Sequence, residues 1–103
     1  MITENETLEQ TFCQFLTDFF MKFPNDLLQA ETNRVLKRLL ARQIPMLGKP
    51  SGWVGGVIYA VANQGCRACG IPGLLNQECE EFFNVSMGTI YKRAWQIRRL
   101  LAL

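Results

Sequence analysis

Ser51-Gly52-Trp53-Val54-Gly55-Gly56-Val57-Ile58-Tyr59-Ala60-Val61-Ala62-Asn63-Gln64 carries no charged side chain. Wound as a helix, it has Trp53, Val54, Val57, Ile58, Tyr59 and Val61 on every side. A helix that is apolar all round is a buried helix, because no face is left to meet water. Gly55 and Gly56 each cost roughly 1 kcal/mol relative to alanine in a helix interior. They predict that a neighbouring element approaches closely; the alternative is that they mark a weak helix.

The flanking segments have the amphipathic character such a core needs. Thr7 begins a capping box with Gln10, and Leu8, Phe12, Phe15, Leu16 and Phe19 follow at helical spacing. Pro24-Asn25 ends that helix, and Asp26 is placed to cap the next, which carries Leu28, Val35, Leu36, Leu39 and Leu40. Its other face shows Arg34, Lys37, Arg38 and Arg42. Pro45, Gly48 and Pro50 make a loop into the apolar helix, and Gly65 to Gly73, with Pro72, make the loop after it. No strand pattern, repeat or low-complexity tract is present. The expectation is one all-α domain over residues 1–103, five helices with a central buried one.

The last two helices, within about residues 74–102, are separated by the break Asn84-Val85-Ser86. That arrangement is a helix-turn-helix, whose second helix can lie in the DNA major groove. On a wheel of about 100° per residue, Ile90, Ala94, Ile97 and Leu101 share the stripe that must face the protein. Lys92, Trp95, Gln96 and Arg99 fall opposite, with Tyr91, Arg93 and Arg98 at the flanks. Ser86 stands where an N-cap belongs. No acid occurs between Asn84 and Leu103.

In the DNA-binding reading, Ser86, Met87, Gly88 and Thr89 approach the backbone and base edges, and Tyr91, Lys92 and Trp95 project beyond them. Arg93, Arg98 and Arg99, with Arg34, Arg38 and Arg42, would neutralise phosphates. The plain alternative is a packing corner with a solvated basic face, and Glu78, Glu80 and Glu81 on the preceding helix would weaken attraction to DNA. A further reading is a protein-interaction module. There Trp95 and the tail Leu100-Leu101-Ala102-Leu103 form a contact with a partner or a second copy. Its counterpart is that Trp95 packs on the N-terminal helix.

The net charge of +2 argues for no particular partner, but the charge is segregated. Six acids lie in the stretch through Glu31, against Lys22 alone, whereas five bases and no acid lie between Arg34 and Lys49. No run approaches the roughly 18–20 apolar residues that cross a bilayer. With Glu4 and Glu6 near its start, the N-terminus reads as neither signal nor transit peptide, and the expected location is cytoplasmic. Cys66-Arg-Ala-Cys69 has the gap of a zinc knuckle, yet there is no histidine, and Cys13 and Cys79 form no second pair. No metal, cofactor or catalytic residue is expected. Without histidine, acid–base work would fall to carboxylates or a lysine, and no nucleophile has an obvious base.

Lys49-Pro50-Ser51-Gly52-Trp53-Val54-Gly55-Gly56-Val57-Ile58-Tyr59-Ala60, followed by Phe83-Asn84-Val85-Ser86 and Thr89-Ile90-Tyr91-Lys92-Arg93, resembles the cyclin-like repeats of transcription factor IIB. It is closer to an uncharacterised bacterial domain family with a tryptophan-initiated central helix. Trp53, Tyr59, Asn63, Phe83, Val85, Ser86, Thr89, Ala94 and Ile97 are the matching positions. The resemblance implies a cyclin-like bundle with a C-terminal helix-turn-helix, and either transcription-associated DNA binding or protein binding. Glu80 departs from the pattern, which has a small alanine there. A carboxylate at that place is expected to point outward or to loosen the pair. The Cys66/Cys69 pair is not part of the pattern either.

Overall fold

The computed structural model describes residues 4–64 and 70–103, with side chains from residue 7 onward. Among these residues there are five α-helices and no strand: α1 (Glu4–Lys22), α2 (Asp26–Ala41), α3 (Pro50–Ala62), α4 (Asn76–Phe83) and α5 (Met87–Leu101).

Helix α3 is the centre. Pro50 at its first turn lacks the N–H that would have no partner there. From Ser51 to Val61 every residue except Tyr59 is buried. All four other helices pack on it, α5 most extensively. The buried Asn63 closes the helix, its side-chain amide donating to the Tyr59 carbonyl at 2.8 Å.

The glycines of α3 are contact points rather than weak spots. A Cβ on Gly56 would lie 2.6 Å from Arg93 Cβ and 3.0 Å from the Ala94 backbone nitrogen. One on Gly55 would meet Ile90 and Phe83 at 3.2 Å, and one on Gly52 would meet the Thr89 methyl at 3.2 Å. Each missing side chain therefore sets how closely α5 lies on α3.

Helix α1 buries Phe12, Leu16, Phe19 and Phe20. Phe19 stacks on Phe83 (centroids 5.5 Å apart, planes 16° apart) and meets Phe82 edge-on. This ring cluster ties the first helix to α4, and each buried phenylalanine contributes about 1.5–3 kcal/mol. Helix α2 buries Thr32, Val35, Leu36 and Leu39.

Two helix starts differ from the sequence expectation. Helix α1 already runs at Glu4, so Thr7 is an interior residue whose carbonyl accepts from the Thr11 hydroxyl at 3.0 Å, rather than a cap. The cap of α2 is Asn25, whose side chain accepts from Leu28 N–H at 3.1 Å, and Asp26 is the first helical residue. The extended backbone of Asn25 supplies that geometry. Helix α4 starts at Asn76, and the Glu78 carboxylate accepts from the Leu75 N–H at 3.0 Å. The Cys66–Cys69 pair lies outside the described residues.

Candidate nucleic-acid interface

A three-residue link, 84–86, joins α4 to α5. Asn84 ends α4 in the left-handed region (φ 54°), a conformation that asparagine tolerates better than most residues. Its carbonyl accepts from Lys49 Nζ at 3.2 Å. Ser86 then caps α5, its hydroxyl accepting from Thr89 N–H at 3.2 Å. The buried stripe of α5 is Ile90, Ala94, Ile97 and Leu101, with Met87 below them at the first turn.

Glu80 neither points outward nor loosens the pair. Its carboxylate accepts from Met87 N–H at 2.8 Å, across the link, and so satisfies the first amide of α5. A negative charge there also suits the positive end of the helix dipole. The same placement puts a carboxylate where the helix start would otherwise attract a phosphate.

The ten residues of the link and α5 expected to touch DNA fall into distinct groups. Ser86 and Gly88 are exposed, and Thr89 is half-buried. Met87 is only 8% exposed, so its side chain is part of the core and cannot project. Arg93 is also turned inward. Its guanidinium lies 4.3 Å from the Trp53 ring centre and donates to the Leu47 carbonyl at 2.6 Å and to Gln96 Oε1 at 3.0 Å. Lys92, Trp95 and Arg99 are exposed, and Arg98 is half-buried.

Trp95 is 58% exposed, which overturns the alternative that it packs on the N-terminal helix. Arg99 lies over its ring at 4.7 Å. Tyr91 accepts from Asn76 Nδ2 at 3.2 Å and meets Tyr59 edge-on at 5.1 Å. Tyr59, Tyr91, Ala94, Trp95, Arg98, Arg99 and Leu103 thus line a cleft of about 650 Å³.

Of the α2 cations, Arg34 is paired with Glu31, while Arg38 Nη2 donates to the Leu101 carbonyl at 3.0 Å. Arg38 thereby brings the basic side of α2 to the end of α5.

The sequence reading missed two contributors. Tyr59 reads from the sequence as one of the buried residues of α3, but it is half-buried and lines the cleft. Leu47, 74% exposed, sits beside Trp53, Trp95 and Leu100 in a second groove of about 360 Å³. An apolar residue in a loop bounded by Pro45 and Pro50 was the available signal for it.

Burial, with the neighbouring carboxylates of Glu78 and Glu80, pushes the Cys79 thiol up to about 11. Among the described residues no three acid, cysteine or histidine side chains gather as a metal site, and no helix is long and apolar enough to cross a membrane. No protein-family model, curated protein or solved structure matches the chain.

Proposed function

We propose that α4, the 84–86 link and α5 act as a helix-turn-helix within a cyclin-like domain, and that the outer face of α5 associates with duplex DNA. The observation that carries this reading is the fixed outward presentation of Lys92 and Arg99, beside Ser86, Gly88 and Tyr91, on a helix without a single acid. The α3 glycines let that helix pack in backbone-close contact with the centre of the domain. The resemblance to the repeats of transcription factor IIB supports the same assignment. Ser86 and Thr89 would approach the backbone, Tyr91, Lys92 and Trp95 would face the groove, and Arg98 and Arg99 would meet phosphates. Met87 and Arg93 act as structural members of that set.

Fluorescence anisotropy on a labelled duplex over a salt series tests the proposal. Arg98 and Arg99 together should give a log–log slope of about −1.8, at about −0.9 per phosphate. Binding no tighter than about 1 mM at low salt would end the DNA reading.

A second reading, a protein-contact module without DNA, is favoured by one observation. Leu47, Trp95 and Leu100 are exposed large apolar side chains that share one groove. Light scattering distinguishes it: a self-associating chain should become monomeric on Trp95→Ala, and a strict monomer argues against self-contact.

A further inference from the structure

The cleft between α3 and the C-terminal half of α5 has a chemistry of its own. Tyr59, Tyr91 and Trp95 give it three aromatic rings, and Arg98 and Arg99 give it two guanidiniums. Trp95 and Tyr91 are not spent on the core, being 58% and 42% exposed. Arg99 already lies over the Trp95 ring, so its planar head is held at the cleft before any ligand arrives. Tyr91 is steadied through its oxygen by Asn76, and its own hydroxyl proton remains able to donate.

Among the described residues no Asp or Glu side chain lines the cleft. Helix α3 is uncharged, and α5 has no acid. The acids of α4 are engaged elsewhere: Glu78 with the Leu75 amide, Glu80 with the Met87 amide, and Glu81 with Gln77.

From this arrangement we infer that the cleft binds a nucleotide, the base stacking on the rings and the phosphate meeting Arg98 and Arg99. Rings without charge would suit any apolar group, and arginines without rings any anion; together they select an aromatic ring that carries an anion. The volume of about 650 Å³ decides further. It falls within the range of small-molecule sites, about 300–1,000 Å³, and as an open cleft it leaves room for base, sugar and phosphate. The nucleotide could be free in solution or an unpaired residue of a single strand, since both offer a base face and a phosphate. The inference uses residues of the duplex face but stands without duplex binding, because Lys92, Ser86 and Thr89 do not line the cleft.

Calorimetric titration of the full chain with adenosine monophosphate, and separately with a short single-stranded oligoadenylate, tests it. Saturable binding tighter than about 1 mM is expected, weakened about tenfold by Trp95→Ala, the loss of one base–ring stack. Arg98→Gln and Arg99→Gln should each weaken it about tenfold, the loss of a charge-assisted contact to phosphate. Lys37→Gln, an exposed charge on α2, should leave it unchanged. Equal affinities for the two ligands assign the site to the free nucleotide. An oligonucleotide bound at least about tenfold more tightly assigns it to a single strand. Trp95→Ala and Arg99→Gln alter exposed side chains and report even where the half-buried Arg98 proves necessary for folding. Lys92→Gln should weaken duplex binding alone, which separates the two interactions. No saturable binding of either ligand, or an equal loss with Lys37→Gln and Arg99→Gln, would overturn the inference.

Discussion

Arg93 is charged and lies on the same helix as Lys92 and Arg99, yet it is partly buried and packs inward against Trp53. Its guanidinium lies over Trp53 and fastens the loop at Leu47 to α5 through one carbonyl. The apolar stem and delocalised charge of arginine allow this where lysine would demand more water. Cys79 shows how burial changes reactivity in the same way. Its thiol is 2% exposed and pushed up to about 11, whereas Cys13 is exposed. At pH 8, iodoacetamide with peptide mapping should label Cys13 promptly and Cys79 only as fast as the protein opens. The sign of the pH effect follows from the same shift. Above the ordinary thiol value of 9.0 the unfolded chain loses this proton, while the folded chain keeps it until about 11. Stability should therefore fall as pH rises through that window, by up to roughly 1.4 kcal/mol per unit. A Cys79→Val variant should show a flatter pH dependence of denaturant midpoint across it.

At the scale of elements, the α3–α5 contact is governed by what α3 lacks. Gly56→Ala would gain roughly 1 kcal/mol of helix propensity, but its methyl would lie 2.6 Å from Arg93 Cβ and 3.0 Å from backbone at Ala94. Backbone cannot step aside, so overpacking wins, and a net loss of about 1–3 kcal/mol is expected in thermal or urea denaturation. Gly52→Ala, which meets only a threonine methyl at 3.2 Å, should cost less. The start of α5 carries an opposite pair of demands. Glu80 satisfies the Met87 amide, but its charge opposes a phosphate at that helix end. Glu80→Gln keeps an acceptor and removes the charge. Duplex affinity at low salt should rise about two- to fivefold, the size of one charge at a helix terminus, while stability falls slightly. An unchanged anisotropy isotherm would show that the start of α5 lies away from the phosphates.

For the whole molecule, burial of α3 under four other helices means that the domain cannot open one face without exposing the core. Amide hydrogen exchange should therefore be slowest from Val54 to Val61, approaching the global unfolding free energy, and faster in the exposed loop at 41–49. Slow exchange confined to α1 instead would contradict that arrangement. Much of this architecture was legible in the residues. Uncharged α3 announced its own burial, and the stripe Ile90, Ala94, Ile97 and Leu101 fixed which side of α5 faces inward. Ser86 was readable as a cap because capping is settled within three residues. Helix periodicity and caps are local, so sequence alone determined the all-α class, the central helix and the break at 84–86. Only the tertiary structure decided that Glu80 crosses to Met87, that Arg93 turns inward to Leu47, and that Tyr59 joins Tyr91, Trp95 and Arg98 around one cleft. Those outcomes depend on which distant segments meet and how closely, and a helical wheel holds no information about the neighbour that glycine admits.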